Sequence, residues 1–146
     1  MNLSDFIKSN GKRISMEHCI RLVQVSQADG KIAPAEHELL QKEGRKFGLT
    51  DPEIEMIIER EAKHHYDPPY SLADKFEQLY NIAEMILADE IVTEGEKKLL
   101  RRFAIEAGFG DKAIEGLIDL LLNGIANGED EDKLFREFRE KHLFRD

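Results

Sequence analysis

Two pairs of carboxylates carry the chemistry that this chain advertises. Asp29 is followed seven residues later by Glu36, and Asp89 by Glu96 in the same way. The pairs lie in stretches that repeat without a gap at an offset of sixty, Ala28–Leu40 and Ala88–Leu100. Oxygen donors of this kind suit a hard divalent cation, Ca²⁺ or Mg²⁺ ahead of Zn²⁺. The same residues also have a purely structural use. Thr93-x-x-Glu96 is a capping box, in which the glutamate accepts the N-cap backbone N–H. Glu36 occupies the equivalent place behind Ala33, where an acid suits the positive end of a helix.

The aspartates are less easily absorbed. Each stands near the C-terminus of a helix, where a negative charge costs roughly 0.3–1 kcal/mol. Either they accept loop N–H groups in Asx-type turns, or they hold an ion. If a pseudo-two-fold drew the halves together, two carboxylates about 4 Å apart would repel by roughly 4 kcal/mol at an effective dielectric of 20. A cation relieves that repulsion, and the residues leave both readings open.

Other constellations are incomplete. The Asp29 loop lacks the alternating oxygen ligands of an EF-hand, and its glutamate arrives too early. His37-Glu38-Leu39-Leu40-Gln41 approaches a zinc-protease helix, but Gln41 replaces the second histidine. His64, His65 and Asp67 are ligand types, yet neighbours on a helix point about 100° apart. Tyr66, Pro68, Pro69 and Tyr70 form either a partner-binding loop or a connector packed over the core. Cys19 falls on an apolar stripe and reads as a small buried hydrophobe. No constellation supports catalysis, so the expectation is a non-enzymatic protein.

Helical periodicity positions these residues. Met16, Cys19, Ile20 and Val23 follow the N-cap candidate Ser15, giving a helix to Ala28 that Gly30 stops. Pro34 opens a second helix that Gly48 ends, and Thr50-Asp51-Pro52-Glu53 opens a third that carries Ile54, Ile57 and Ile58. Leu3, Phe6 and Ile7, ahead of Asn10-Gly11, suggest a short separate N-terminal helix. His64–Tyr70 cannot stay helical through two prolines and reads as a connector.

Ser71 then opens a fourth helix with Phe76, Leu79, Tyr80 and Ala83 on one face. Thr93 opens a fifth helix that stops near Gly108, and Asp111 a sixth that stops near Asn123-Gly124. Acids at 129–132 followed by Lys133, Arg136 and Arg139 suit a seventh. The repeat spans about 16–63 and 76–123, with the connector at 64–70. No run alternates with period two. The expected fold is all-α, one globular domain of about seven helices built from two related three-helix halves.

The helix–Ala-Asp-Gly–turn–Glu–helix pattern, present twice, resembles the TerB-like family, which includes tellurite-resistance proteins and the N-terminal region of DjlA-type co-chaperones. The likeness runs from about Ser15 to Ile118. It implies an all-helical stress-response or tellurite-resistance type of protein in which Asp29, Glu36, Asp89 and Glu96 are the acidic motif residues, proposed to bind metal. The chain departs from the pattern at Glu90, where the family often has Gly, and at Lys31, Ala33 and Pro34. It has no His-Pro-Asp signature of a J-domain.

Charge narrows the partners. With 21 basic and 30 acidic residues the formal net charge is −9, which repels nucleic-acid phosphates and anionic membranes. A basic protein surface is the alternative partner, with the chain acting as an adaptor that holds no metal. No segment approaches the roughly 18 apolar residues of a membrane span, and Asn2–Gly11 lacks the apolar run of a signal peptide. One cysteine permits no internal disulfide. The expectation is a cytoplasmic protein; the oligomeric state is not encoded in any of these features.

Overall fold

A computed structural model describes residues 3–27, 30–89 and 91–143, with side chains from residue 14 to 141 among them. Among the described residues the chain is all-helical, and contacts gather it into two compact units, Met1–Tyr66 and Asp67–Asp146. No helix among them is long and apolar enough to cross a membrane.

The first unit holds α1 (Leu3–Ser26), α2 (Pro34–Lys46) and α3 (Asp51–Glu61). The expected break at Asn10-Gly11 and start at Ser15 do not occur: α1 runs through both. A glycine inside a helix costs only about 1 kcal/mol against alanine, too little by itself to end one. All three helices pack on one another. Their apolar faces bury Cys19, Leu22, Val23, Leu40, Ile54 and Ile57, each at most 2% exposed. Fully burying a side chain of the Leu, Ile or Val class contributes roughly 1.5–3 kcal/mol. Of the face predicted from the Met16–Val23 spacing, Cys19 and Val23 are buried and Met16 and Ile20 half-buried.

The second unit holds α4 (Leu72–Ile86), a 3-10 turn (Leu87–Asp89), α5 (Glu94–Glu106), α6 (Asp111–Ala126), α7 (Glu131–Phe138) and a π-helical turn (Arg139–Leu143). Helix α4 lies against α5, α6 and α7 and buries Phe76, Leu79, Ile82, Ala83 and Ile86. Helix α7 closes this core by aromatic contact. Phe138 meets Phe76 at 5.9 Å between ring centroids and Phe109 edge-on at 5.6 Å. Helix α6 does not stop at Asn123-Gly124 as expected but reaches Ala126, and Gly128, at φ +79°, takes the left-handed position beyond it. Gly124 instead lets Leu134 approach, because a Cβ there would collide with its methyl groups.

Local punctuation follows the offset of sixty closely. Helices α1 and α4 end at Ser26 and Ile86, α2 and α5 span 34–46 and 94–106, and α3 and α6 begin at Asp51 and Asp111. Gly48 and Gly108 both take positive φ, +85° and +95°. Behind the first, Gly48 N–H donates to Arg45 O and Leu49 N–H to Gly44 O. Behind the second, Gly108 N–H donates to Ile105 O and Phe109 N–H to Ala104 O. This is the same Schellman ending twice.

Candidate acidic loops and their surroundings

In the second unit, both members of the acidic pair can be placed. Asp89 closes the 3-10 turn and is exposed. Glu96 is in the first turn of α5, with no exposed surface. The capping box read from Thr93-x-x-Glu96 is present. Thr93 N–H and hydroxyl donate to Glu96 Oε1 at 3.0 and 3.2 Å, and Glu96 N–H donates back to Thr93 Oγ1 at 3.1 Å. A carboxylate this buried is costly unless hydrogen-bonded, and the box supplies donors.

In the first unit, Asp29 lies outside the described residues. Glu36 is half-buried in the first turn of α2. Its N-cap Ala33 has an extended backbone and no side-chain cap bond, and Pro34 occupies the start of the helix. Among the described residues, no group of three or more His, Cys, Asp or Glu side chains is placed to hold a metal ion.

A polar network that the sequence did not reveal ties this first loop down. Gly30, at φ +79°, donates its N–H to Gln27 Oε1 at 2.8 Å. Gln27 Nε2 donates to His65 Nδ1 at 3.0 Å and to His64 O at 3.4 Å. One residue turn back on α1, Gln24 Nε2 donates to Glu61 Oε1 at 3.0 Å, which also lies 3.0 Å from His64 Nδ1. Burial pushes the Glu61 carboxyl up, but the hydrogen bonds from His64 and Gln24, with the charges of His64 and Arg60, outweigh it and hold the group below its ordinary value. His64 and His65 therefore serve the seam between the ends of α1 and α3. No local sequence pattern marks Gln27, whose partners lie 37 and 38 residues away.

His37 and Gln41, which evoked a zinc-protease helix, both turn to Glu55. His37 Nε2 lies 3.1 Å from Glu55 Oε2, and Gln41 Nε2 donates to Glu55 Oε1. Sixty residues on, Arg101 Nε donates to Glu115 Oε1 at 2.7 Å, so the same two positions are tied again.

Compared with family models, curated proteins and solved structures, the chain matches none.

Two further features of the second unit bear on binding. A half-open groove of about 330 Å³ is lined by Leu87, Val92, Ile118 and Leu122 together with Lys97 and Asp119. Acids from α4 and α7 also converge. Burial first, then the charges of Glu77, Asp132 and Glu84, raise the Glu131 carboxyl above its ordinary value. Tyr80, between them, is raised by burial and by Glu84, Glu131 and Asp130. The run at 129–132 was visible in the sequence as helix punctuation; its meeting with Glu77 and Glu84 is tertiary and left no local trace.

Proposed function

We propose that the chain is a non-enzymatic binding protein of the TerB-like, stress-response or tellurite-resistance type. In this reading it consists of two related three-helix halves whose acidic loops take a divalent cation, Ca²⁺ or Mg²⁺ ahead of Zn²⁺. Asp29 and Glu36 serve one loop, Asp89 and Glu96 the other. The observation that carries it is the shared register: helix ends, helix starts and Schellman endings recur at an offset of sixty around both pairs. Glutamate in the first turn has a capping role of its own, so the aspartates carry the test.

Metal-free protein titrated with Ca²⁺, Mg²⁺, Mn²⁺ and Zn²⁺ should gain thermal stability with one of them. An ion at about 100 times its dissociation constant adds roughly 2.7 kcal/mol. Asp29→Asn and Asp89→Asn should each reduce that gain. No shift with any ion overturns the cation reading, and a shift that survives both substitutions moves the ion elsewhere.

A second reading, an adaptor for a basic protein surface, is favoured by the carboxyls around Glu131. A group whose ionisation is opposed by its neighbours gains from a cationic partner. A lysine-rich peptide titrated into the protein should then bind in a salt-dependent way and more weakly to Glu131→Gln. Salt-independent binding, or none, removes this reading.

A further inference from the structure

The last four residues of the connector between α3 and α4 contribute to none of the features above, yet they are built as a presented segment. They read Asp67-Pro68-Pro69-Tyr70. Each proline ring fixes its own φ near −65°, and a residue that precedes proline is driven to extended backbone. Asp67 and Pro68 both precede proline, and no peptide bond among the described residues is cis. Pro68 is therefore confined near polyproline II geometry by covalent structure alone, its φ by its own ring and its ψ by the ring that follows. Neither proline has an N–H to lose to water, so the segment does not need secondary-structure partners.

Its C-terminal end is fixed to α4, where Ser71 caps the helix, its Oγ accepting Asp74 N–H at 3.1 Å. Just before that cap stands Tyr70 at 102% relative exposure, the most exposed of the large hydrophobic side chains described. An aromatic side chain brings 150–250 Å² of burial to a contact, and here all of it faces water. Asp67 and Pro68 beside it are exposed as well.

We propose that Asp67–Tyr70 is a docking segment for a protein partner with an aromatic-lined, polyproline-binding groove and a basic rim. Such grooves read a left-handed, donor-poor backbone through stacked rings, and a preformed helix of this kind enters with little entropy left to lose. Pro68 and Pro69 supply the ridge, Tyr70 the anchor and Asp67 the charge that meets the rim. A backbone restricted by two proline rings is pre-organised, which is how a four-residue contact reaches useful affinity. The inference does not rest on the cation reading, since none of its residues belongs to the acidic loops.

The test uses the intact protein and purified recombinant SH3, WW and EVH1 domains as probes, with binding followed by calorimetry. At least one domain should bind saturably. Tyr70→Ala and the double substitution Pro68→Ala/Pro69→Ala should each weaken that binding by about tenfold or more, as anchor residues do. Unchanged thermal unfolding of Tyr70→Ala will show that the fold is intact. The proposal is overturned if no domain binds the wild-type protein, or if binding survives either variant.

Discussion

Thr93 and Glu96 hold each other at both ends of the same turn: Thr93 N–H and hydroxyl reach Glu96 Oε1 at 3.0 and 3.2 Å, and Glu96 N–H returns to Thr93 Oγ1 at 3.1 Å. Thr50 and Glu53 form a matching box at the start of α3, where Glu53 is half-exposed rather than buried. Removing the cap hydroxyl in Thr93→Ala or Thr50→Ala should cost about 1 kcal/mol in each case. Glu96→Ala should cost more than Glu53→Ala, because it also leaves a cavity where a fully buried side chain stood. Urea unfolding measures all four. Equal losses at Glu96 and Glu53 would show that burial adds nothing to the cap.

Features that depend on neighbours within a turn were legible in the sequence. The caps at Thr50, Ser71 and Thr93, the Pro34 start, and the stops at Gly48 and Gly108 all stand where the residue types put them. Glycine was misread at two places inside helices. Gly11 is carried through by α1, and Gly124 is a contact point for Leu134 inside α6. Of the candidate site, the place of Glu96 was legible but its complete burial was not. The tie from Gly30 through Gln27 to His65 joins residues that no periodicity connects.

Gln27 is the tie for the first acidic loop. Its amide orientation is fixed from two sides, since Gly30 N–H can only donate and His64 O can only accept. Gln27→Ala should raise hydrogen exchange at the Gly30 amide and cost about 1–3 kcal/mol, because it leaves polar groups of the seam without this partner. Exchange at Thr93, in the other unit, should stay as it was. An unchanged Gly30 rate would mean that the loop is held by other contacts.

Gly44 sits in α2 where Ile54 of α3 crosses. A Cβ placed on it would lie 2.6 Å from Ile54 Cγ1 and 2.7 Å from Cδ1, and a β-branched side chain has little freedom to withdraw. Gly44→Ala should therefore destabilise by about 1–3 kcal/mol despite the better helix propensity of alanine. In the Gly44→Ala/Ile54→Ala double variant the total loss should fall short of the sum of the single losses, since the first substitution loses its obstacle. Additive losses would exclude the clash as the cause.

Cys19 is fully buried on α1, and burial pushes its thiol up to about 12. The thiolate is the reactive form, so the native protein should resist a disulfide reagent at mildly alkaline pH and react at once in urea. Fast labelling of native protein would mean that α1 opens readily.

Glu61 and Glu131 are displaced in opposite directions from the same ordinary value of 4.5, and their effects on stability have opposite signs. Glu61 is lower in the folded state, so it adds stability above its unfolded value and loses it as pH falls through the folded one. Glu131 is higher in the folded state. Its ionisation therefore subtracts stability as pH rises from the unfolded value through the folded one, and nothing is lost below both. Glu61→Gln should destabilise at neutral pH, with the deficit shrinking on acidification. Glu131→Gln should stabilise at neutral pH, and that gain should vanish once the wild-type carboxyl is protonated in both states. Chemical unfolding of the two variants and wild type across the acidic range measures both trends. A Glu131→Gln effect independent of pH would show that repulsion from Glu77, Asp132 and Glu84 is not what the substitution relieves.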